Sequence, residues 1–469
     1  MLHLSTRSRA FAIIAGLALL PAADLHADEP SLPAYNADIT QTSVSGISSG
    51  AFMAVQFGVA WSSFVIGVGA IAGGPFGCSE GSGSAALSTC MVGQPAPDLA
   101  ELINRTDAWS RSGDIDGTAN IARQRIYLFS GYNDNVVARG VGDALQAFYT
   151  HYVTGDRRGN LFYQTAIGAG HAQVTVAYGG DCADNGGEFI NKCGYDQAGI
   201  ILQHIYGALS PRNNGGLSGH FITFRQADFT GSRTSQDDSL DDKGFAYVPA
   251  ACEAHEPCRV HVALHGCLQS RGNIGEDFVR HAGYNEWADP NHIIILYPQI
   301  QATGLTGLGI TNPQACWDWW GYLDANPMAA PTYLLKSGRQ ISAIKAMIDR
   351  VTAGATVSSA PLGASTVGTP SSVSAADFSD SAIDLVWSAV PGAVSYDVFR
   401  NDPSDQGFRQ IGATAGLSYS DAGLKPATFY RYKVHTSSAR GTGAFSIVVS
   451  QSTRSKVPPC PEPGTCAVR

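Results

Sequence analysis

Charge is what this 469-residue sequence has least of: Asp, Glu, Lys and Arg make up 15% of it, against about 25% in an average soluble domain. With a formal net charge of −9, it lacks the basic footprint that a nucleic-acid binder needs. The shortage does not mean disorder, because 44% of the residues are hydrophobic and disordered chains pair low hydrophobicity with high net charge. After residue 27, no apolar run reaches the length of about 20 residues that spans a bilayer without meeting a charge, a glycine or a proline, so no membrane association is expected. The ten cysteines include no Cys-x-x-Cys pair, which counts against a structural zinc site, and neither metal nor cofactor is expected. The 53 glycines follow no fixed period, which excludes a collagen-like chain. What is left is a soluble, loop-rich globular protein, and at about 150 residues per domain it has room for two or three folded units.

The start of the chain is different in kind. Arg7 and Arg9 precede an apolar run from Phe11 to Leu20, Pro21 breaks it, and Leu25-His26-Ala27 is followed by two acids. That order is the architecture of a secretory signal peptide, expected over residues 1–27, and it predicts a secreted, extracellular protein. Cysteine usage agrees, since an even number in an exported chain reads as disulfides. The cysteines fall into sequence-local couples, Cys78 with Cys90, Cys182 with Cys193, Cys252 with Cys258 and Cys460 with Cys466, leaving Cys267 and Cys316 over. Nearest-neighbour pairing is one connectivity among several, and spacing does not decide between them.

A stretch of Ala, Ser, Thr, Gly and Pro over residues 353–372 carries no charge and reads as a linker. Before it, Tyr333 to Arg350 places Leu334, Ile341, Ile344 and Ile348 at helical spacing, as the last helix of a domain over residues 28–352. After it, short strand-like runs at Ile383–Trp387, Tyr396–Arg400, Phe429–Val434 and Phe445–Val449 suggest a small β-sandwich over residues 373–455, with a Cys-containing tail over 456–469. Trp387 and the segment Leu424-x-Pro-x-Thr-x-Tyr430 resemble a fibronectin type III module, in which both aromatic residues are structural. In the larger domain, β-rich apolar runs at Ile39–Val44, Phe64–Ala72, Arg125–Phe129, Leu161–Ile167, Val260–Leu264 and Ile293–Tyr297 alternate with helix-length segments. This is the pattern of an α/β fold around a buried, mainly parallel sheet. Functional groups in such folds collect on loops after the carboxyl ends of strands.

Three of those loops carry chemistry. Gly46-Ile-Ser48-Ser-Gly50 matches G-x-S-x-G between a strand and an apolar helix, the context of a nucleophile elbow that exposes the Ser48 hydroxyl. The backbone N–H of Ser49 then points at a developing oxyanion, although Ser49 is itself a minor candidate for the nucleophile. His171 follows the Leu161–Ile167 run in Gly168-Ala-Gly-His171, and Asp134 follows Arg125–Phe129 in Gly131-Tyr-Asn-Asp134. A serine needs a base and the base an orienting acid. The order Ser48, Asp134, His171 is the acid-before-base order of α/β-hydrolases. His151 and His204 lie on helix-like stretches and His281 and His292 beside polar loops, so they fit less well. Asp114, Asp116 and Asp143 are the rival acids.

A fourth loop, Leu264-His-Gly-Cys267, resembles the oxyanion loop of lipases and esterases, which makes the Cys267 N–H the second donor. Cys316 opens the aromatic cluster Cys316-Trp-Asp-Trp319-Trp320. A Cys267–Cys316 bridge would hold this cluster beside the oxyanion hole. Trp319 is the candidate substrate contact, while Trp317 and Trp320 read equally well as core. The order of these parts is unusual, because the oxyanion strand ordinarily precedes the nucleophile strand. Two leading antiparallel strands are expected at Phe221–Phe229 and Phe245–Pro249, and reading from about His220 to Pro298 and then back to Ile39 restores the usual order. The fold class expected is therefore a circularly permuted α/β-hydrolase with a C-terminal fibronectin type III-like β-sandwich, a rearrangement tolerated where termini lie close together.

Ser45-Gly-Ile-Ser-Ser-Gly-Ala-Phe-Met-Ala54, Ala72-Gly-Gly-Pro-Phe-Gly-Cys78, Leu264-His-Gly-Cys-Leu-Gln269 and Asn312-Pro-Gln-Ala-Cys-Trp-Asp-Trp319 together resemble the extracellular poly(3-hydroxybutyrate) depolymerases with an N-terminal lipase box and a circularly permuted catalytic domain. The resemblance covers roughly residues 35 to 350. It implies a Ser48, Asp134, His171 triad, oxyanion N–H groups from Ser49 and Cys267, and hydrolysis of poly[(R)-3-hydroxybutyrate] or its oligomers through an acyl-enzyme; a monomer is expected, though the sequence does not fix the oligomeric state. Enzymes of this kind usually carry a further polymer-binding domain, and this chain has only residues 455–469 in that place, a short tail holding Cys460 and Cys466. The departure counts against tight adsorption to crystalline polymer. Two other readings are weighed against it: a secreted esterase acting on feruloyl or acetyl esters of polysaccharides, and an adhesion protein with a degenerate hydrolase domain. The intact triad residues argue against the second.

Overall fold

The computed structural model describes residues 29–304, 312–354, 370, 373–390, 393–402, 408–438, 441–446 and 448–454. The expected signal peptide (residues 1–27), most of the linker and the tail 456–469 lie outside the described residues. In chain order the first eleven strands are β1 (Thr42–Ile47), β2 (Val65–Ile71), β3 (Arg125–Phe129), β4 (Leu161–Gln164), β5 (Gln173–Thr175), β6 (Gly180–Asp181), β7 (Ile190–Lys192), β8 (His220–Arg225), β9 (Lys243–Val248), β10 (Arg259–Leu264) and β11 (Ile293–Tyr297). Eight of them form one sheet in the order β4-β3-β2-β1-β10-β11-β9-β8, while β5, β7 and β6 form a small separate sheet. The pairings from β4 through to β11 are parallel, and β9 and β8 join antiparallel at one edge. The sheet is covered on both faces, since buried apolar residues form two large clusters, one around Val44, Phe57, Val262 and Ile344 and the other around Ile47, Tyr127, Ile201 and Ile295.

The nucleophile strand and its helix lie at the centre of this sheet. All six residues of β1 are buried, three of them polar. Its Ser43 and Ser45 hydroxyls are satisfied by the two ring nitrogens of buried His261 on β10, at 2.7 and 2.8 Å, and by the Tyr206 and Tyr284 hydroxyls, each at 2.7 Å. Buried polar groups are costly unless paired, so this network fixes the register of β1 against β10. Helix α1 (Ser49–Ala60) is buried all round, as expected of a helix with apolar residues on every face.

Several elements depart from their expected bounds. Ile39–Gln41 is a 3-10 turn rather than strand, because the Asp38 carboxylate accepts the Thr40 N–H at 2.8 Å and starts a turn there. The strand expected over Leu161–Ile167 ends at Gln164, whose side chain accepts the Ala166 N–H. Phe221–Phe229 is strand only to Arg225, and Gln226–Phe229 is a 3-10 turn. The helix expected from Tyr333 begins at Arg339 and runs to Thr352, while Thr332–Leu334 forms a separate turn.

The remaining strands are β12 (Val373–Phe378), β13 (Ala382–Trp387), β14 (Ser395–Asn401), β15 (Arg409–Thr414), β16 (Ser418–Ala422), β17 (Phe429–Ser438), β18 (Gly441–Phe445) and β19 (Val449–Ser452). They make two antiparallel sheets around a core that includes Trp387, Tyr396 and Tyr432. Tyr430 is buried and its hydroxyl accepts the Lys425 N–H at 2.9 Å. The run Phe445–Val449 is two strands, because at Ser446 the side chain takes over one ladder bond: its hydroxyl accepts the Val434 N–H, while its own N–H donates to the Val434 carbonyl. Four disulfides join Cys78 to Cys90, Cys182 to Cys193, Cys252 to Cys258 and Cys267 to Cys316. The fifth expected couple is not among these four: Cys460 and Cys466 both lie outside the described residues. No helix among the described residues is long and apolar enough to cross a membrane.

Candidate active site

Ser48 sits at the position that caps α1, where a serine oxygen ordinarily accepts an N–H of the first turn. Here it makes no such bond, because its backbone is held at φ 56°, ψ −123°. That conformation is costly for any residue with a Cβ and persists only where the surroundings impose it. Two glycines create those surroundings. A Cβ on Gly46 would lie 2.3 Å from the Gly50 carbonyl oxygen, and a Cβ on Gly50 would lie 2.3 Å from the His265 carbonyl oxygen. Strand, helix and the end of β10 therefore meet backbone to backbone under Ser48, as the G-x-S-x-G pattern predicts.

The loops after β3 and β4 bring Asp134 and His171 together. His171 and Asp134 are both buried, and His171 Nδ1 lies 2.9 Å from Asp134 Oδ2. The other carboxylate oxygen, Oδ1, accepts the N–H groups of Val136 and Val137, each at 2.9 Å. With Nδ1 donating to a carboxylate, the imidazole tautomer leaves Nε2 as the basic nitrogen. The His171 loop is pressed against residues 182–185, where a Cβ on Gly170 would lie 2.1 Å from the Asp184 carbonyl oxygen.

The loop after β10 is the third wall. Gly266 approaches so closely that a Cβ there would stand 3.2 Å from Ser48 Cβ. His265 is fully buried, and its carbonyl accepts the Trp317 indole N–H at 3.0 Å. Burial pushes the His265 imidazole down to about 4, so it stays neutral as a structural group. Among the described residues, neither the Ser49 N–H nor the Cys267 N–H donates to another protein group. Ser48, His171, Gly266 and Cys267 all line one cavity of about 660 Å³. Its other walls are mainly apolar, with Phe52, Trp319 and Trp320 on one side and Leu87, Val136 and Leu268 among the rest.

Trp319 stacks on Phe52 at 4.2 Å between ring centroids and is only 6% exposed, yet among the described residues its indole N–H has no partner. Most buried donors in a folded protein have a partner, which sets this indole apart from its neighbours. Trp317 is fully buried and serves as core, while Trp320 lines the cavity. The turn that carries them is organised by Asp318, whose carboxylate accepts the N–H groups of Gly321, Tyr322 and Leu323. Burial and the neighbouring Asp324 push the Asp318 carboxyl up to about 7, against those three donors.

The rival residues lie elsewhere. His151 and His204 are on the helices Arg139–Tyr152 and Gln197–Tyr206. His281 ends a short helix and stacks on Tyr178, and His292 faces Glu256. Asp114, Asp116 and Asp143 bond to Ser112, Ser63 and Arg139 respectively. Sequence reasoning passed over Asn185, Phe189 and Gln269, which also line the cavity. The loop of Asn185 and Phe189 looks like an ordinary polar connection in the sequence, while Gln269 ends the Leu264–Gln269 motif without any feature of its own that marks it. Among the described residues, no group of three or more His, Cys, Asp or Glu side chains is placed to hold a metal ion.

The fold is that of the α/β-hydrolases, and a serine on a strained strand–helix elbow beside a carboxylate-bound histidine is the equipment of a carboxylic ester hydrolase. No protein-family model matches the chain. The poly(3-hydroxybutyrate) depolymerase of Delftia acidovorans is 42% identical over 447 residues, covering 94% of this chain and 85% of that one. The polyhydroxybutyrate depolymerase of Talaromyces funiculosus is 37% identical over 352 residues, 73% of this chain and 97% of that one. The crystal structure of PHB depolymerase from Penicillium funiculosum is similar at 35% identity and a TM-score of 0.61, covering 69% of this chain and 99% of its own. A serine-to-alanine form of a PHB depolymerase complexed with an R3HB trimer matches at 34% identity and the same TM-score. This chain belongs to the poly(3-hydroxybutyrate) depolymerase family.

Proposed function

We propose that the protein is a secreted depolymerase that hydrolyses poly[(R)-3-hydroxybutyrate] or its oligomers, with Ser48 as nucleophile. His171 Nε2 takes the hydroxyl proton as Ser48 Oγ attacks the ester carbonyl, and Asp134 holds the imidazole and stabilises its charged form. The Ser49 and Cys267 N–H groups receive the oxyanion. His171 then returns the proton to the departing alkoxide, and a water activated by the same nitrogen hydrolyses the acyl-enzyme. Trp319 offers its unpaired indole N–H to an acceptor of the bound chain, and the apolar walls take its methyl groups. The observation that carries this reading is the His171–Asp134 bond at 2.9 Å on a cavity that Ser48 also lines. The four disulfides favour an extracellular setting, with residues 1–27 as the leader.

Two architectural readings go with it. The antiparallel pair β8–β9 occupies one edge of the sheet and β10 lies beside β1, which supports a circularly permuted connectivity. The two antiparallel sheets with the Tyr430 hydroxyl bond support a fibronectin type III-like module over residues 373–455, after a linker at 353–372 and a catalytic domain at 28–352. The decisive experiment measures clearing of a poly(3-hydroxybutyrate) suspension by the wild-type protein and by Ser48→Ala, beside release of ferulate and acetate from polysaccharide esters. Clearing by the wild type and none by the variant is expected. Turnover by a folded Ser48→Ala variant would remove the nucleophile assignment, and ferulate or acetate release without clearing would remove the substrate assignment.

A further inference from the structure

Between the acid loop and the base loop stands one side chain whose entire hydrogen-bonding capacity is spent on holding them. Asn185 Oδ1 accepts the backbone N–H of His171 at 2.9 Å and the backbone N–H of Asn135 at 3.0 Å. Its Nδ2 donates to the Asn133 carbonyl at 3.0 Å and to the Ala183 carbonyl at 3.1 Å. An amide has two lone pairs on oxygen and two protons on nitrogen, and all four are used. The partners also fix the amide orientation, because one end meets only N–H groups and the other only carbonyls. Asn133 and Asn135 flank Asp134, so Asn185 holds the peptide units on both sides of the acid together with the backbone of the base.

The loop that carries Asn185 is itself restrained. The Cys182–Cys193 disulfide closes it, and the Cys182 carbonyl accepts the Gly170 N–H at 2.8 Å. The Phe189 ring meets the His171 ring edge-on at 6.0 Å between centroids. Gln269, whose Oε1 accepts the Gly266 N–H, donates from Nε2 to the Glu188 and Phe189 carbonyls. Residues 182–193 thus touch the acid, the base and the oxyanion loops.

We propose that Asn185 is a positioning residue for hydrolysis: it sets the distance between Asp134 and His171 and, although it lines the cavity, offers the substrate no polar group. This rests on the Ser48–His171–Asp134 reading above. A misplacement of about 1 Å in reacting groups can lower the rate by about 10²-fold, whereas a residue with no free polar atom has none to offer the ester.

The test compares wild type, Asn185→Ala, Asn185→Asp and Ser48→Ala on a soluble 3-hydroxybutyrate ester, with active sites counted by exhaustive fluorophosphonate labelling. Asn185→Ala is expected to lower kcat per labelled site by about 10²-fold with KM little changed. Asn185→Asp retains an acceptor for the His171 and Asn135 N–H groups and is expected to recover part of that loss. An Asn185→Ala kcat per labelled site equal to wild type overturns the proposal, since the residue would then serve folding alone; so does a loss that falls on KM. Should Asn185→Ala not fold, Asn185→Ser takes its place, and a kcat per labelled site equal to wild type in that variant refutes the positioning role. Activity in Ser48→Ala would instead indict the triad reading itself, so the two failures are told apart.

Discussion

Replacing Gly50 by alanine is a direct probe of how the elbow is built. The added Cβ would stand 2.3 Å from the His265 carbonyl oxygen and 2.5 Å from that of Leu264, where carbon and oxygen in contact need about 3.3 Å. The end of β10 or the start of α1 must therefore move by about 1 Å, and that movement separates Ser48 from the Cys267 loop. Forcing a methyl group into a filled interior costs about 1–3 kcal/mol, partly offset by up to about 1 kcal/mol from the better helix propensity of alanine. Gly140 is the matched control: like Gly50 it is the second residue of its helix, and a Cβ on it would meet nothing within 4 Å. Chemical denaturation should show Gly140→Ala neutral or stabilised and Gly50→Ala less stable than it by about 1–3 kcal/mol. Hydrolysis of a soluble ester should fall by about 10²-fold in kcat/KM for Gly50→Ala and stay unchanged for Gly140→Ala. If the two variants match each other in stability and in kcat/KM, the argument that backbone contact under Ser48 forms the site is wrong.

Trp319→Phe removes an indole N–H that no group among the described residues accepts, so the melting temperature should barely move while kcat/KM on an oligomeric ester falls by about tenfold, the worth of one hydrogen bond. A large drop in melting temperature would show that the indole serves packing instead. Burial holds His204, His261 and His265 at about 4, 3 and 4, below the ordinary 6.5. The unfolded chain therefore takes up protons that the folded one refuses, and stability is full above pH 6.5 and lost as the pH falls towards 4. At about 1.4 kcal/mol per pH unit and group, one such histidine accounts for up to about 3 kcal/mol. Denaturant midpoints measured from pH 7 to pH 4 should fall steeply, and a flat profile would refute the neutral buried state.

The strands of the large sheet were legible because a parallel sheet covered on both faces demands near-continuous apolar runs, and Arg125–Phe129 and Ile293–Tyr297 have the bounds expected from that rule alone. The elbow was legible because its geometry requires glycine at fixed offsets, and Gly46 and Gly50 sit at those offsets. Polar burial was not. Ser43, Ser45 and His261 look like interruptions of a strand until the chain brings β1 beside β10, and only then do their hydrogen bonds close. Asn185 was hidden for the same reason, since its partners are up to 52 residues away and its own neighbours read as an exposed loop. Tyr333 was placed on a helix by apolar spacing, yet it belongs to a separate turn where its hydroxyl bonds to Ser79 and Gly81. Periodicity reports which face is apolar, and it is blind to where a polar tip ends up.

The disulfides complete that division between core and site. A parallel sheet buried on both faces needs no covalent support, and three of the four bridges lie in loops that form the cavity. Cys78–Cys90 closes the segment that brings Leu87 to the cavity wall, Cys182–Cys193 closes the loop of Asn185, and Cys267–Cys316 ties the oxyanion loop to the turn bearing Trp319 and Trp320. Loops with few apolar contacts are the low-stability end of a fold, while acyl transfer tolerates little displacement of its donors and base. A cross-link removes the alternatives such a loop would otherwise sample. Ion pairs also touch two of these loops, Arg105 with Glu80 and Lys192 with Asp181, but pairs exposed to solvent contribute little, so the cross-links carry the restraint.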